Sequence, residues 1–209
     1  MELPRFVAGA AFPRQVRVAT TPGDLLRIFA LRYEVYVEEH GRLVAKADHV
    51  RRQLRDRHDE TAVHLSVDVA GELVACARLH LGGIPSGLAA PLGLWRFHGL
   101  PPAHVGFVSK FMVRRDHRGS TVAARMMRAV FLLAREQRTQ ALFCTTFPDL
   151  VALYERAGMA PYGSQYIDLD LGPHHAMVGL MDACDAPASM LMPADHGDRA
   201  VGRVEARVF

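Results

Sequence analysis

Val105 to Ala124 reads VGFVSKFMVRRDHRGSTVAA, and few local structures satisfy it. Val105–Val113 is apolar and rich in β-branched residues apart from Ser109 and Lys110, which predicts a largely buried strand. Arg114, Arg115, Asp116 and His117 end that strand. Gly119, Ser120 and Thr121 then open an amphipathic helix predicted from about Gly119 to Arg138. A helix start offers N–H groups with no intrahelical acceptor and the positive end of a dipole, and both favour an anion. Placed directly after a strand and among arginines, the turn predicts a pyrophosphate cradle. The competing reading of these residues is a plain helix start, with Ser120 or Thr121 as the cap.

The rest of the chain bounds the setting. With 209 residues and half of them apolar, it suits one domain, 1–209, with a core over about 15–182 and an extension at 183–209. A net charge of +3 is too small to argue for nucleic acid. Its distribution says more: Lys110 to Arg138 holds eight Lys/Arg against Asp116 and Glu136. The cysteines Cys76, Cys144 and Cys184 lack metal-ligand spacing and read as reduced thiols of a cytoplasmic protein. The histidines are scattered, with no zinc spacing, so no metal is expected. Gly-x-Ser-x-Gly is absent, which argues against a serine nucleophile of the hydrolase kind. Phe6–Phe12 makes a poor signal peptide beside Glu2 and Arg5. No apolar run approaches the roughly 20 residues of a membrane span, so membrane insertion is not expected.

Along the chain, Thr21-Pro22-Gly23-Asp24 signals a helix start, and Leu25, Ile28, Phe29, Arg32 and Tyr36 follow at helical spacing. Lys46–Asp59 is a polar segment. Thr61–Val69 and Leu73–Leu81 predict a hairpin turning at Ala70-Gly71-Glu72. Gly82–His104 is a long Gly/Pro loop containing Trp95 and Phe97, a type usually functional or packed as a lid. Ala141–Thr146 predicts a strand and Pro148–Ala157 a helix, with Gly158 as the glycine that ends it. Met159–Leu171 is extended in character. After Gly172-Pro173 comes a mixed tail, weakly patterned from Ala183 to Arg199, with a last strand at Ala200–Phe209. The order of elements implies a mixed α/β or α+β domain.

Several of these segments resemble the GNAT superfamily of N-acetyltransferases. Arg118-Gly119-Ser120-Thr121-Val122-Ala123 is similar to its Arg/Gln-x-x-Gly-x-Gly/Ala turn, departing at Thr121, where that superfamily has glycine. Leu153-Tyr154-Glu155-Arg156-Ala157-Gly158-Met159 resembles its LYEKxGF helix end. A narrower resemblance covers about residues 20–165. Arg32-Tyr33-Glu34-Val35-Tyr36 resembles the Arg-x-x-x-Phe of acyl-homoserine-lactone synthases and N-acyl amino acid synthases. Asp56-Arg57-His58-Asp59 resembles their Asp-x-x-Asp, Arg78-Leu79 their Arg-Leu, and Val108-Ser109-Lys110-Phe111 their x-Ser-Arg-Phe. Lactone synthases carry glutamate where this chain has Phe107, which places it nearer the N-acyl amino acid synthases.

The resemblance implies a central, mostly antiparallel sheet, splayed at a thioester site, with helices on both faces. It implies transfer of a fatty acyl group from acyl carrier protein, or acyl-CoA, to the amine of an amino acid or related small amine. Phe111, Met112, Val113, Arg118, Gly119, Ser120, Thr121, Val122 and Ala123 would hold the phosphopantetheine donor, and Arg32, Tyr36, Arg78, Ser109 and Lys110 the acceptor. Backbone N–H groups at Lys110–Val113 would polarise the carbonyl. Tyr154 would protonate the leaving thiolate, or be a core aromatic. Glu34, Glu38, Asp56 and Asp59 are candidate bases. Arg32, Asp56, Asp59 and Arg78 also fit a structural ion-pair network. Arg118, Arg125, Arg128, Arg135 and Arg138 fit either a solvated face or a docking surface for an acidic carrier. The alternatives are an acetyl-CoA-dependent N-acetyltransferase and a non-catalytic acyl-carrier or acyl-CoA binding module.

Overall fold

The computed structural model describes residues 13, 15–85, 87, 100–168 and 170–181. The expected strand Ala200–Phe209, Cys184 and most of the Trp95-containing loop lie outside these residues. By its contacts the chain divides into two units. One comprises residues up to His80 with Val108–Gln137, and the other Leu81–Phe107 with the residues from Arg138 on.

In the first unit, β1 (Val16–Val18), β2 (Val63–Val69) and β3 (Glu72–His80) pair antiparallel in that order. The C-terminal part of β4 (Val105–Val113) follows β3. The β2–β3 hairpin turns on two residues, Ala70 at φ 51° and Gly71 at φ 88°. Positive φ at both central positions is the type I′ pattern, whose twist suits strand pairs.

α1 (Pro22–Arg32) begins where the sequence signals it. Thr21 accepts from the Asp24 amide while the Asp24 carboxylate receives the Thr21 amide, a complete capping box. The helix then widens into a π-helical segment, Tyr33–Glu39, a feature frequent at functional sites. α2 (Val122–Glu136) starts three residues later than the sequence expectation, and Gly119–Thr121 belong to the turn. Eight of β3's nine residues are buried, so both of its faces are covered. The helices in contact with β3 are α1 and α2. Ile28, Phe29, Leu31, Val35, Leu73, Cys76 and Met112 form one core cluster of this unit.

In the second unit, β5 (Ala141–Thr146) and β6 (Ala160–Asp168) flank β7 (Gly172–Leu180), both pairs antiparallel. β7 corrects the expectation of a tail after Gly172-Pro173. Short α3 (Val151–Arg156) ends in a Schellman motif. Met159 N–H reaches the Tyr154 carbonyl at 3.0 Å, Gly158 N–H the Glu155 carbonyl at 2.9 Å, and Gly158 has φ 85°. Val105, Phe107, Phe143, Tyr162 and Val178 share this unit's core. Phe107, at the position of the synthase glutamate, is therefore a packing residue.

Candidate active site

Arg32 ends α1 with no solvent exposure, and Arg78 on β3 is 1% exposed. Buried guanidinium groups demand partners. These come from the 3₁₀ turn Arg57–Asp59, capped reciprocally by Asp56 and Asp59. Arg32 Nη1 donates to Asp59 Oδ1 at 2.7 Å, and Arg78 Nη1 donates to the same oxygen at 3.0 Å and to Asp56 Oδ1 at 2.6 Å. Burial opposes ionisation of Asp59, but the two guanidinium groups outweigh it and hold the carboxyl at about 2. Asp59 is thus locked as an anion. Committed to two arginines, it fits the ion-pair network that its charge pattern also allows.

His64 completes the network from β2, directly opposite Arg78 in the register. Arg32 Nη2 lies 3.1 Å from His64 Nδ1, and His64 Nε2 lies 3.1 Å from the Asp59 carbonyl. Arginine only donates and a carbonyl only accepts, so the ring is neutral with its proton on Nε2. Burial and Arg32 push its pKa down, consistent with that form.

Two strand residues of β4 join the cluster. Arg78 Nε donates to Ser109 Oγ at 2.9 Å. Lys110 has φ 52°, left-handed for a residue with a side chain. Its Nζ sits 4.7 Å from the centre of the Tyr36 ring, and its carbonyl receives the Cys76 thiol at 3.8 Å. Burial raises the Tyr36 phenol to about 12, so it stays neutral. The same burial, aided by Arg78, lowers the Lys110 amine to about 8. The structure therefore gathers Arg32, Tyr36, Asp59, Arg78, Ser109 and Lys110 in one place.

β4 continues past Phe111, which is half-buried, and the core residues Met112 and Val113 into the basic turn. Gly119 has φ 77°, and a Cβ there would touch nothing, so glycine serves the backbone conformation. Ser120 Oγ donates to the His117 carbonyl at 2.6 Å and receives the Val122 amide at 3.3 Å. Thr121 makes no side-chain cap. The first intrahelical bond runs from the Arg125 amide to the Thr121 carbonyl at 3.0 Å. The Ala123 and Ala124 amides precede it and are not spent inside the helix. Arg118, expected among the residues that hold the donor, has partners within the chain. Its Nε donates to the Val113 carbonyl at 3.0 Å and its two other nitrogens bind Glu39.

The remaining candidates have settings of their own. Glu34 is exposed and lines a surface depression of about 560 Å³ with Arg114, Arg115 and Asp116. Glu38 pairs with Arg52 at 2.5 Å. Tyr154 is buried on α3 of the second unit. Sequence reading missed His64 and Glu39. His64 was recoverable from strand alternation, because cross-strand partners share a face. Glu39 was not, since it meets Arg118 across 79 residues of sequence. Among the described residues, no three His, Cys, Asp or Glu side chains gather as a metal site. No helix among them is long and apolar enough to cross a membrane.

No curated protein matches the chain by sequence. Solved structures do match its fold. The AHL synthase LasI is 17% identical, with a TM-score of 0.65 over 88% of this chain and 95% of that one. The CoA-dependent acyl-homoserine lactone synthase BjaI, solved with SAM and isopentyl-CoA, is 21% identical, with a TM-score of 0.63 over 76% of each chain. FeeM, an N-acyl amino acid synthase from uncultured soil microbes, is 16% identical, with a TM-score of 0.60 over 78% of this chain and 87% of that one. At these identities the likeness concerns the fold. Residues 27–178, well over half of the chain, match the family model of the N-acyl amino acid synthase FeeM. The chain belongs to that family and is an acyltransferase.

Proposed function

We propose that the protein transfers a fatty acyl group from acyl carrier protein to the amine of an amino acid or related small amine, with acyl-CoA as a second donor. One observation carries the reading. A single strand, β4, supplies Ser109 and Lys110 to a buried cationic cluster and then runs directly into a helix-start turn suited to phosphate. Donor and acceptor groups on one rigid element can be held in line, and such positioning is a large part of bimolecular catalysis.

In this reading the backbone of Arg118–Ala123 holds the pyrophosphate, or the single phosphate of a carrier-bound arm. Phe111–Val113 lie along the pantetheine, and N–H groups from Lys110 to Val113 polarise the thioester carbonyl. Arg32, Arg78, Ser109 and Tyr36 shape the acceptor side. Asp59 anchors the arginines instead of touching the reaction. Tyr154 protonates the departing thiolate. The arginines on α2 meet an acidic carrier, and the reaction belongs to the cytoplasm, where acyl carriers are loaded.

The test is mass spectrometry of products formed by purified protein with acyl carrier protein and CoA donors of graded chain length and a pool of amino acids. Long-chain N-acyl products are expected. Transfer of acetyl alone would make the protein an N-acetyltransferase, and donor binding without amine-dependent turnover would make it a binding module.

A further inference from the structure

Arginine supplies the positive charge nearly everywhere in this chain. There are only two lysines, Lys46 and Lys110, among 25 basic residues. Lys46 is exposed at a 3₁₀ turn. Lys110 stands inside a strand, with a left-handed backbone, at the cluster described above. A guanidinium does not give up its proton in proteins, whereas a lysine amine does so readily when water is withheld. Around Lys110, the π-helical segment presents the Tyr36 ring, α1 presents Arg32, β3 presents Arg78 and Cys76, and the 3₁₀ turn presents Asp56 and Asp59. Both aspartates are committed to arginines, and among the described residues no carboxylate forms an ion pair with Lys110. A cation with no carboxylate of its own, beside two guanidinium groups, is an amine arranged to be neutral.

We propose that Lys110 is the general base of the transfer, its Nζ taking the proton that the acceptor's ammonium must lose. This rests on the acyl-transfer reading above. The neutral lysine accepts that proton and passes it to water. The freed amine nitrogen forms the C–N bond at the thioester carbonyl carbon. The C–S bond breaks with its electron pair going to sulfur, and the second proton lost by nitrogen ends on that sulfur. An ammonium and a thioester become an amide, a thiol and one released proton, with no other reactant. The Lys110 amine, lowered to about 8, suits the task near neutral pH.

Two measurements decide it. Lysine-selective NMR labelling gives two side-chain signals, and Lys110→Arg assigns them. Lys110 should titrate near 8. In the transfer assay, Lys110→Arg keeps the cation and Lys110→Met keeps the chain length. Each should bind donor as the wild type does and lose about 10²-fold or more in kcat. The wild-type pH profile should show a rising limb near 8 that stays put between acceptors of different amine pKa, and this limb should vanish in both variants. Lys110 titrating above 10, or either variant keeping wild-type kcat across the pH range, overturns the assignment while leaving acyl transfer intact. A wild type that acylates no amine overturns the reaction itself, and the base with it.

Discussion

Arg118 grips Glu39 with both terminal nitrogens, Nη2 lying 2.8 Å from Oε2, while its Nε reaches the Val113 carbonyl at 3.0 Å. The hydrogen bond from Arg118 holds the Glu39 carboxyl below the usual carboxylate range. One side chain therefore ties the Arg118–Thr121 turn to the end of β4 and to the π-helical segment that carries Tyr36. Its guanidinium is spent on that linkage, so an anion at the turn must be held mainly by backbone N–H groups and the dipole of α2.

That division of labour makes Ser120 the informative position. Ser120→Glu removes the hydroxyl that receives the Val122 amide and puts a carboxylate where the phosphate would lie. Isothermal calorimetry should show CoA binding abolished and the melting temperature little changed. Wild-type affinity in the variant would move the phosphate elsewhere.

The exposed side of α2 makes a separate prediction. Arg125 Nη1 donates to Gln15 Oε1 at 2.6 Å, and Arg128 is exposed. Reversing both charges should raise the KM for carrier-bound donor and spare that for free CoA. Salt should weaken the carrier reaction, because exposed charges are screened beyond about 8–10 Å. Steady-state kinetics with both donors at two salt concentrations would return these arginines to a solvated face if neither change matters.

Asp59 is where stability and pH meet. Asp59→Asn leaves Arg32 and Arg78 without their shared anion and should cost about 3–5 kcal/mol in chemical denaturation. The folded-state carboxyl lies near 2, below its unfolded value of about 3.9. Its contribution is therefore full above about pH 4 and is lost as pH falls toward 2. The stability gap between wild type and variant should narrow over that window, and a gap independent of pH would deny the ion pairs their role.

Tyr154→Phe keeps the ring and removes only the hydroxyl, so the fold should hold. If the phenol protonates the thiolate, kcat should fall by about 10²–10⁴-fold with donor binding nearly unchanged. Turnover at the wild-type rate would make Tyr154 a packing residue.

How much of this was legible depended on whether the signal was local. The Thr21 cap, the Ala70-Gly71 turn, strand Ala141–Thr146 and Gly158 are all set by neighbouring residues, and they stand where the pattern placed them. β1 is only three residues long, too short for alternation to register. β7 reads GPHHAMVGL, whose Gly, Pro and His residues imitate a turn, so only pairing on both sides makes it a strand. In the site, Arg32, Asp59, Arg78, Ser109 and Lys110 were found by order along the chain. The ion-pair network of Arg32, Asp56, Asp59 and Arg78 was legible from charge alone, whereas the acidity of Asp59 and the commitment of Arg118 follow from partners that sequence spacing does not disclose.

The left-handed backbone at Lys110 sets stability against chemistry at a single position. Glycine adopts that conformation freely, whereas a residue with a side chain is disfavoured there by roughly 1–2 kcal/mol. A screen for heat resistance would therefore favour glycine at 110, relieving the strand and deleting the amine in the same step. If Lys110 is the base proposed above, variants recovered that way should be more robust proteins and poorer enzymes.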